Sequence, residues 1–465
     1  MFKRTHLATA FVAAFGLSGY AAAAANTLIG FASLPANTFA EGPTSGQFAG
    51  AGAFGNGLPL LDKQPVQGFS AVLAGPVPGS FYVMQDNGFG AQGNSADTIL
   101  RMFAVKPDFR TASGGSGSVA PVQFFSGTPL ASFSSESFIQ LRDPDLKLGF
   151  AIQADYQHYY NNAANPLVAP EIRAGRLLTG ADLDLESVRR DNQGNLWFGD
   201  EFGPFLIKTD ATGKVLRSEI GLPNTRAFGG NPLVQAPQNP YLSGPANLNG
   251  SGGFEGMALN ASGTKLYTLL EKRINDDPNA QRLIINEFDL STEAYTANSF
   301  AYRMESPGHA IGDFTAISDT EFLVIERDNR QGDPTIPAFA NPAQFKKIFK
   351  VDLAQLDAEG FAKKSEVVDL MNIADPHDLN GDGKTTFSFP FVTIEDVLIL
   401  DANTLLVIND NNYPGSSGRT FGVSDNNEFI MIALANPVPE PESYALLLAG
   451  LGCISLMNRR RRTGP

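Results

Sequence analysis

The stretch DLESVRRDNQGNLWFGDEFGP, residues Asp184–Pro204, contains the pattern that decides the fold. Its first five residues read as a strand, the segment DNQG has the composition of a tight turn, and LWF begins a second strand that ends on Asp200 and Glu201. Glu186 lies between apolar neighbours, where an unpaired charge is costly. The stretch is therefore predicted to be a hairpin with one carboxylate in its first strand and two at the end of its second.

The same plan recurs at four other places in the chain. Each unit begins with a short strand that carries Glu, Ser or Thr, and a turn then leads to an apolar strand that ends in polar residues. The first strands begin with FSAV at 69, LESV at 185, FEGM at 254, FTAI at 314 and IEDV at 394. The polar position precedes the strand end by 15 or 16 residues in four units, but by only 12 residues from Thr315 to Arg327.

The spacing of the units predicts a radial fold. Successive units start 116, 69, 60 and 80 residues apart, so the first interval leaves room for a degenerate unit at about 110–180, where SFIQLRD and KLGFAIQADY are candidate strands. Six units of about 65 residues are each long enough for a four-stranded blade. We therefore predict an all-β fold, a six-bladed β-propeller. Five blades, seven blades and a pair of β-sandwiches are the alternatives.

The Gly and Pro content agrees with a turn-rich β protein, and the negative net charge agrees with the binding of cations. The chain has 465 residues, of which 47 are Gly and 30 are Pro, and its formal net charge is −14. Without Lys3, Arg4 and the four arginines near the C-terminus the charge changes from −14 to −20, which disfavours nucleic acid as a partner and suits divalent cations. The one cysteine, Cys453, lies in the last segment, so no disulfide is expected in the body of the protein.

Both ends of the chain have features of export signals. Residues 1–25 combine two basic residues, an apolar run and an Ala-Ala-Ala cleavage site, which predicts a signal peptide; a structural helix is the alternative. Residues 437–465 contain VPEP, the short apolar segment Tyr444–Met457, predicted to enter the membrane, and the basic cluster Arg459–Arg462. This tail resembles the PEP-CTERM sorting signal of Gram-negative bacteria, which an exosortase processes; an ordinary tail anchor is the alternative.

These ends set the predicted location and the domain boundaries. We expect export from a Gram-negative bacterium, transient anchoring in the inner membrane, and then a cell-surface or extracellular location. Residues 26–66 are interpreted as an irregular lead-in and residues 67–436 as the propeller domain. The apolar residues of the lead-in offer one strand that would close the ring of repeats.

Acidic residues at the repeated positions are candidate metal ligands. The innermost strands of a propeller line its channel, so polar residues at one position of successive units point into a shared space. Carboxylates crowded there raise each other's pKa unless a cation compensates, and oxygen ligands at variable spacing suit Ca²⁺. The predicted ligands are Asp86, Glu186, Asp200, Glu201, Glu255, Glu271, Glu326, Glu395 and Asp410. The alternative is that each carboxylate pairs with a nearby arginine or caps a turn.

A separate calcium-loop candidate lies near the end of the domain. DLNGDG, residues 378–383, places oxygen ligands at alternate positions in Asp378, Asn380 and Asp382, with a glycine at the sharp turn. The twelfth position is Phe389, so the bidentate Glu of an EF-hand is missing. This loop is interpreted either as an ion-binding site or as an exposed Asx turn.

Several other chemistries are not supported by the sequence. It contains no G-x-S-x-G elbow, no P-loop and no G-x-G-x-x-G motif. The exported portion has only His158, His309 and His377, which are not at metal-ligand spacing. Zinc catalysis and a Ser-His-Asp triad are therefore not expected.

Nearly the whole exported chain resembles one known family. The motifs QGFSAVL, QDNGFGAQGNSADTILRMF, LLTGADLDLESV, LWFGDEFGPFLIKTDATGKVL, GFEGMAL, IGDFTAI, VIERDN, FPFVTIEDV and INDNNYPGSSGR run in order from about Gln67 to Leu434. They resemble the phytase-like family, which is described as having esterase-like activity. The resemblance implies a secreted propeller related in architecture to the calcium-dependent β-propeller phytases. A shared fold does not by itself fix the substrate.

The resemblance also implies roles for individual residues. Ca²⁺ held by the channel carboxylates would bind phosphate oxygens and activate a water for attack on phosphorus. Glu186, Glu255 and Arg327 are then the candidate catalytic residues, and Asn87 is a neutral ligand. Lys272, Arg189 and Arg419 are candidate clamps for the substrate phosphate. An acidic mouth repels a polyphosphate such as phytate, so a simpler phosphate ester or another small-molecule ester is at least as suitable.

Three functions are consistent with these features. The first is a calcium-dependent ester hydrolase, a phosphoesterase. The second is a non-catalytic surface propeller that binds matrix polysaccharide or protein, which the sorting tail favours. The third is a calcium-dependent lactonase, which clustered carboxylates alone do not distinguish from the first. A monomer is expected in each case.

Overall fold

The computed structural model describes residues 25–49 and 57–438. The predicted signal peptide and nearly all of the predicted sorting tail lie outside these residues, and both stay predictions. Within the described ranges, no helix is long and apolar enough to cross a membrane.

Strands dominate the described residues. In chain order they are β1 (Thr27–Leu34), β2 (Phe39–Glu41), β3 (Lys63–Pro65), β4 (Phe69–Ala74), β5 (Phe81–Gln85), β6 (Arg101–Asp108), β7 (Ser118–Pro121), β8 (Phe138–Gln140), β9 (Leu185–Arg190), β10 (Leu196–Asp200), β11 (Phe205–Thr209), β12 (Ile220–Gly221), β13 (Phe254–Leu259), β14 (Lys265–Leu270), β15 (Arg282–Asp289), β16 (Ala294–Arg303), β17 (Ala310–Ala316), β18 (Glu321–Arg327), β19 (Lys346–Leu356), β20 (Ala362–Asp369), β21 (Ile373–Ala374), β22 (Thr386–Phe387), β23 (Asp396–Asp401), β24 (Thr404–Ile408) and β25 (Asn427–Ala433). One short α-helix, α1 (Pro170–Gly175), and 3₁₀ turns at Gln92–Asn94, Ser135–Ser137, Gln153–Asp155, Tyr159–Asn161 and Phe228–Gly230 complete the secondary structure of this part of the chain.

The predicted hairpin is present and is held by its turn. Strands β9 and β10 pair antiparallel, as the sequence predicted. Asp191 Oδ1 accepts hydrogen bonds from the backbone N–H of Gln193 and of Asn195, both at 2.9 Å, and Gly194 takes a positive φ of 86° that favours glycine. The indole N–H of the buried Trp197 donates to Asp191 Oδ2 at 3.0 Å, which ties the turn to the core.

Five four-stranded blades surround one axis. They consist of β4–β7, β9–β12, β13–β16, β17–β20, and β23–β25 together with β1. The first strands contact one another in the cyclic order β4, β9, β13, β17, β23 and back to β4. Each of the five repeated sequence units supplies the first two strands of one blade. The described chain is therefore an all-β, five-bladed propeller.

The prediction of a sixth blade at about 110–180 is wrong. Of the two candidate strands there, SFIQLRD supplies β8, which joins the first blade by pairing with β6, and KLGFAIQADY contains a 3₁₀ turn instead of a strand. The apolar residues of this segment, among them Ile152, Tyr159 and Ile172, pack in one cluster against both the first and the second blade. Because β4 contacts β9 directly, the segment covers the junction of these blades without entering the ring.

The lead-in closes the ring. Residues 26–66, interpreted as irregular, contain β1, β2 and β3. Strand β1 pairs antiparallel with β25 from Thr27↔Ala433 to Leu34↔Asn427 and becomes the outermost strand of the fifth blade. The apolar residues Leu28 and Phe31 are buried in the cluster that this blade shares with the fourth. The two ends of the described chain are thus hydrogen-bonded in one sheet.

Candidate active site

An acidic cavity of about 110 Å³ lies where the five blades meet. Its lining residues are Asp86, Asn87, Gly90, Asp184, Glu186, Glu201, Ser251, Glu255, Glu271, Arg327, Thr393, Glu395, Asp410 and Asn412. Each blade contributes at least one of them, which places the cavity on the propeller axis. Eight of the fourteen are carboxylates and one is an arginine. We call this space the axial cavity.

One ring of its side chains comes from β-bulges in the innermost strands. The register of β9 shifts at Glu186 and that of β13 shifts at Glu255, and β4 shifts in the same way at Ser70. A bulge leaves one residue outside the ladder and turns its side chain away from the direction of its neighbours. Both glutamates therefore reach the axial cavity. Ser70 reaches it indirectly, by donating a hydrogen bond to Glu395 Oε2 at 3.0 Å.

The fourth unit was aligned incorrectly by the sequence pattern. In β17 the register shifts between Ile311 and Phe314, whereas Thr315 pairs regularly with Leu323. Counting from Gly312, inside the bulge, Arg327 follows 15 residues later, the spacing of the other units. A Cβ on Gly312 would collide with the backbone oxygen of Ile394, so this blade has no side chain at that point of the ring.

A second ring comes from the ends of the second strands. Four of its members are carboxylates and the fourth blade supplies Arg327 instead; the ring consists of Asp86, Glu201, Glu271, Arg327 and Asp410. The Nη2 atom of Arg327 donates to Glu255 Oε1 at 3.3 Å, to Glu271 Oε1 at 3.1 Å and to Glu395 Oε1 at 3.4 Å. One guanidinium group therefore offsets the charge of three glutamates on its side of the axial cavity.

The opposite side has no arginine among its lining residues. There Asp184, Glu186 and Glu201 each offer a carboxylate oxygen, and these three oxygens lie within 4.8 Å of one another. Asp184 Oδ1 is buried and has no hydrogen-bond partner within the described ranges. Glu201 Oε1 accepts from the backbone N–H of Gly253 at 3.0 Å, which fixes its position. We call Asp184, Glu186 and Glu201 the carboxylate triad.

Burial and mutual repulsion perturb these carboxylates. Burial raises the pKa of Asp184 to about 6, and burial together with the charge of Asp410 raises that of Glu395 to about 8. Burial, with the neighbouring carboxylates as a second cause, raises the pKa of Glu186 well above its ordinary value and does the same for Glu255. The axial cavity therefore favours either protons or a bound cation at neutral pH.

Neighbouring polar groups orient the remaining ligand candidates. Asp410 Oδ1 accepts from the backbone N–H of Asn412 at 2.7 Å, and Asp410 Oδ2 accepts from the Thr393 hydroxyl at 3.2 Å. Asn87 Oδ1 accepts from the backbone N–H of Gly90 at 2.9 Å. Asn87 Oδ1 also accepts from the Ser95 hydroxyl at 3.3 Å, whereas each Asp410 oxygen keeps a lone pair for a further partner.

Two of the ligands predicted from the repeat do not line the axial cavity. Asp200 accepts from the backbone N–H groups of Asp184 at 2.8 Å and Gly203 at 2.7 Å, so it fixes the backbone behind the carboxylate triad. Glu326 points away from the axis, because successive side chains of a strand alternate and Arg327 points inward. Its partners are Tyr302, His309 and Lys364 at 2.7, 2.8 and 3.0 Å. Burial opposes ionisation of Glu326, but these partners outweigh it and lower its pKa.

Of the predicted substrate clamps, two are engaged elsewhere. Arg189 forms a buried ion pair with Asp313 at 3.0 Å between blades, and Arg419 forms a two-bond ion pair with Glu428 at 2.9 and 2.7 Å. Neither lines the axial cavity. Lys272 pairs with Glu271 at 2.7 Å and keeps a third of its side chain exposed, which places it at the edge of the axial cavity.

The calcium-loop candidate lies at the periphery. It follows β21, which pairs with β1 at the outer edge of the fifth blade. The backbone N–H of Gly383 donates to Asp378 Oδ1 at 2.9 Å, that of Lys384 donates to Asp382 Oδ1 at 2.9 Å, and that of Asp382 donates to Asn380 Oδ1 at 3.3 Å. The bonds to Asn380 and Asp382 define Asx turns, and the bond to Asp378 closes the loop that contains them. Ion binding by this loop stays a prediction, separate from the axial cavity.

The sequence pattern overlooked one central residue. Asp184 was assigned to the strand but not to the site. It lies two residues before Glu186, and the alternation of side chains along an extended chain was the available signal that both face the same side. The sequence pattern could not predict that Thr393 lines the axial cavity, because this residue lies just before the fifth repeated unit.

Together, the fold and the site define a five-bladed propeller with an oxygen-lined axial cavity. A family model described as Phytase-like, with esterase-like activity of phytase, matches residues 64–413. This range includes every residue that lines the axial cavity. The chain belongs to the Phytase-like family, as the motifs predicted.

Other similarities are more distant. A protein of Arthroderma benhamiae named "Uncharacterized secreted protein" is 24% identical over 179 residues, which are 32% of this chain and 35% of that protein, so the chain matches about a third of its length. The periplasmic gluconolactonase of Pseudomonas aeruginosa is 15% identical with a TM-score of 0.32, covering 89% of this chain and 99% of that one. The calcium-binding protein regucalcin of Agrobacterium tumefaciens is 10% identical with a TM-score of 0.33, covering 87% and 98%. At TM-scores this low, neither structure is close enough to transfer a function.

Proposed function

We propose that the protein is an exported, calcium-dependent hydrolase of ester bonds, and specifically a phosphoesterase. The observation that carries the proposal is the carboxylate triad, three buried acidic side chains on the propeller axis with no arginine beside them. Membership of a family described by esterase-like activity supports the reaction class.

The donor set fits a hard divalent cation. All candidate ligands are carboxylate or amide oxygens, the type that Ca²⁺ prefers, and the buried Asp184 Oδ1 has no other partner within the described ranges. Asp184, Glu186 and Glu201 would hold the cation, with Asp86 and Asn87 as further oxygen donors. A bound Ca²⁺ would polarise a phosphoryl oxygen and make a coordinated water a better nucleophile.

The residues of the axial cavity would act as follows. Glu186, which lines the axial cavity beside the other two carboxylates of the triad, accepts a proton from the attacking water. The water oxygen forms a bond to phosphorus, the bond from phosphorus to the alcohol oxygen breaks, and Glu186 passes the proton that it took from the water to the departing alcohol oxygen. Glu255 accepts a hydrogen bond from Arg327 and so holds the guanidinium group in place. The buried Nε of Arg327 has no partner among the described residues, and it would donate a hydrogen bond to the negative charge that develops on the phosphate.

The proposal is tested by assaying the full chain on phosphate esters with Ca²⁺ and with chelator. We expect release of phosphate that chelator abolishes and that Glu186→Gln lowers by at least about 100-fold. Glu359→Gln, at a side chain that is 66% exposed and far from the axis, is the matched control and should keep full activity. Turnover of lactones alone would select the lactonase, and no turnover of any ester would select the non-catalytic propeller that binds matrix polysaccharide or protein.

The location and partners form part of the same proposal. We propose export through the N-terminal signal, transient membrane anchoring through the C-terminal tail, and exosortase processing that delivers a monomeric enzyme to the cell surface or medium. Fractionation of cells with and without the tail tests this: deletion of residues 437–465 should move the protein from the membrane fraction to the soluble exported fraction.

A further inference from the structure

A second cavity lies beside the axial cavity. It has a volume of about 250 Å³, and its lining includes Gln92, Phe150, Gln153, Tyr156, Tyr160 and Gln238. Much of its wall comes from residues 150–182, the segment that covers the junction of the first two blades without forming a blade of its own. We call it the side cavity.

Three chain segments pass from one cavity to the other. Gly90 lines the axial cavity and Gln92 the side cavity; Asp184 lines the axial cavity and Asp182 the side cavity. In each of these two segments only one residue separates the two lining residues. The third link is Gln238, whose amide lies near Gly250, the residue before Ser251 of the axial cavity. The two cavities are therefore immediate neighbours, which is the placement that a substrate with one group in each of them requires.

The lining of the side cavity has the chemistry of a sugar subsite. It combines the aromatic rings of Phe150, Tyr156 and Tyr160 with three glutamine amides, and no lysine or arginine lines it. Phe150 is held rigidly, stacked on Phe205 at 6.1 Å and edge-on to Tyr241 at 6.4 Å. Aromatic faces pack against the C–H face of a sugar ring, and amide groups can satisfy its hydroxyls. Gln92 Nε2 donates to the backbone oxygen of Ala181 at 3.1 Å and Gln153 Oε1 accepts from the backbone N–H of Tyr160 at 2.8 Å, so the opposite amide atoms of these two residues are the ones that a ligand would use.

The polar groups of the side cavity divide into structural and available ones. Asp182 accepts from the backbone N–H and hydroxyl of Thr179 at 2.8 and 2.9 Å and from the backbone N–H of Gln153 at 2.8 Å, so it serves the fold. The Tyr160 hydroxyl donates to the backbone oxygen of Gln92 at 2.5 Å. By contrast, Gln238 Oε1 is enclosed and has no hydrogen-bond partner within the described ranges. It is an acceptor for a ligand hydroxyl.

We propose that the side cavity binds a neutral hexose ring of the substrate, so that the enzyme acts on a sugar monoester whose phosphate lies in the axial cavity. This inference rests on the proposed function. It excludes a polyphosphorylated ring, because the side cavity offers no cation and Arg327 in the axial cavity is shared by three glutamates.

The first test compares two substrates in the calcium-loaded full chain, glucose 6-phosphate and glycerol 1-phosphate. Tyr156→Ala and Gln238→Ala should each lower kcat/KM for glucose 6-phosphate by about fivefold and leave that for glycerol 1-phosphate within about twofold. Phe125→Ala, at an exposed aromatic residue outside both cavities, is the control and should change neither. Equal losses on both substrates, or no loss on either, would overturn the assignment.

The second test measures binding without catalysis. Saturation-transfer NMR with methyl glucoside, in chelator, should show binding to the wild-type chain and to Phe125→Ala but not to Tyr156→Ala. Binding without hydrolysis of any ester would refute the proposed function and leave the sugar subsite standing. Failure of the wild-type chain to bind methyl glucoside, with phosphate release from glycerol 1-phosphate intact, would refute the sugar subsite alone.

Discussion

Arg327 occupies the position that carboxylates hold in the other four blades. Its neighbours Glu255, Glu271 and Glu395 are buried, so each would be costly as an unpaired charge. Burial opposes the charged form of Arg327, but the three glutamates outweigh it and raise its pKa. The guanidinium thus acts as a permanent cation on one side of the axial cavity and leaves the carboxylate triad as the side open to a metal ion.

Replacing Arg327 by methionine tests this role. We expect Arg327→Met to lower the free energy of unfolding by about 3 kcal/mol at pH 7 in chelator, because it leaves buried carboxylates uncompensated. The loss should shrink as the pH falls below 8, because burial and the charge of Asp410 raise the pKa of Glu395 to about 8 and this side chain becomes protonated. Arg303→Met, at a half-exposed arginine that pairs with Asp357 and Glu359, should cost less than about 1 kcal/mol. Urea unfolding measures both, and equal losses would contradict the role.

Glu186→Gln gives a prediction of opposite sign. Since the pKa of Glu186 is raised by burial and by neighbouring carboxylates, its ionised form is destabilising without a cation. In chelator at pH 8 we expect the variant to be more stable than the wild type by about 1–2 kcal/mol. It should also lose most of the stabilisation that Ca²⁺ gives the wild type. A thermal unfolding series with and without Ca²⁺ checks both effects, and a variant less stable than wild type in chelator would contradict them.

At the same scale, the sequence predicted positions in a repeat but not the partners of charged residues. Glu186, Glu255 and Glu395 were found because the repeat places them alike. Arg189 and Arg419 were misassigned, since their partners Asp313 and Glu428 are defined only by the fold. Thr315 was aligned with the glutamates because the bulge residue of its blade, Gly312, has no side chain to mark it.

At the scale of elements, the hairpin pattern identified all five inner pairs of strands but overcounted the blades. A long interval between repeats was interpreted as a missing unit. Its apolar residues instead fill the space outside β4 and β9, in one cluster with both blades. Neither length nor alternation distinguishes a degenerate blade from a covering segment, because both bury apolar residues. KLGFAIQADY places Leu148, Phe150 and Ile152 at alternate positions as a strand does, yet the segment contains a 3₁₀ turn and packs over two blades.

We expect strand β1 to be necessary for the closure of the ring of five blades. A variant that lacks residues 25–36 would leave the edge of β25 unpaired and expose the apolar cluster that contains Leu28 and Phe31. We expect its melting temperature to fall by at least about 10 °C, because several kcal/mol of burial are lost. A synthetic peptide of residues 25–36 should restore part of the loss. Recovery by a peptide of the same composition in scrambled order would contradict specific pairing.

At the scale of the whole molecule, the axial carboxylates make stability depend on pH. Burial raises the pKa of Asp184 and of Asp410 to about 6, and that of Glu395 to about 8. In the unfolded chain these groups titrate near pH 4, so the unfolded state releases its protons first as the pH rises. The stability that the protonated groups contribute is therefore present below about pH 4 and is lost as the pH rises through 6 to 8.

Denaturant unfolding in chelator should show this loss. We expect the free energy of unfolding of the calcium-free protein to fall by at least about 2 kcal/mol between pH 5 and pH 8. Ca²⁺ at about 100 times its dissociation constant should restore about 2.7 kcal/mol at pH 8. A calcium-free protein whose stability stays level or increases over this range would show that the axial carboxylates are compensated from within the chain.

The pairing of β1 with β25 also sets the order of events during synthesis. Thr27 and Ala433 are joined in one sheet, so β1 is made first but has no partner in the fifth blade until almost the whole domain exists. At about 5–20 residues per second, roughly 20–80 seconds separate the appearance of these two partners. During that time the eight mostly apolar residues of β1 have no β25 strand to pair with. A chaperone that binds short extended peptides would therefore find its target at the leading end of the nascent protein.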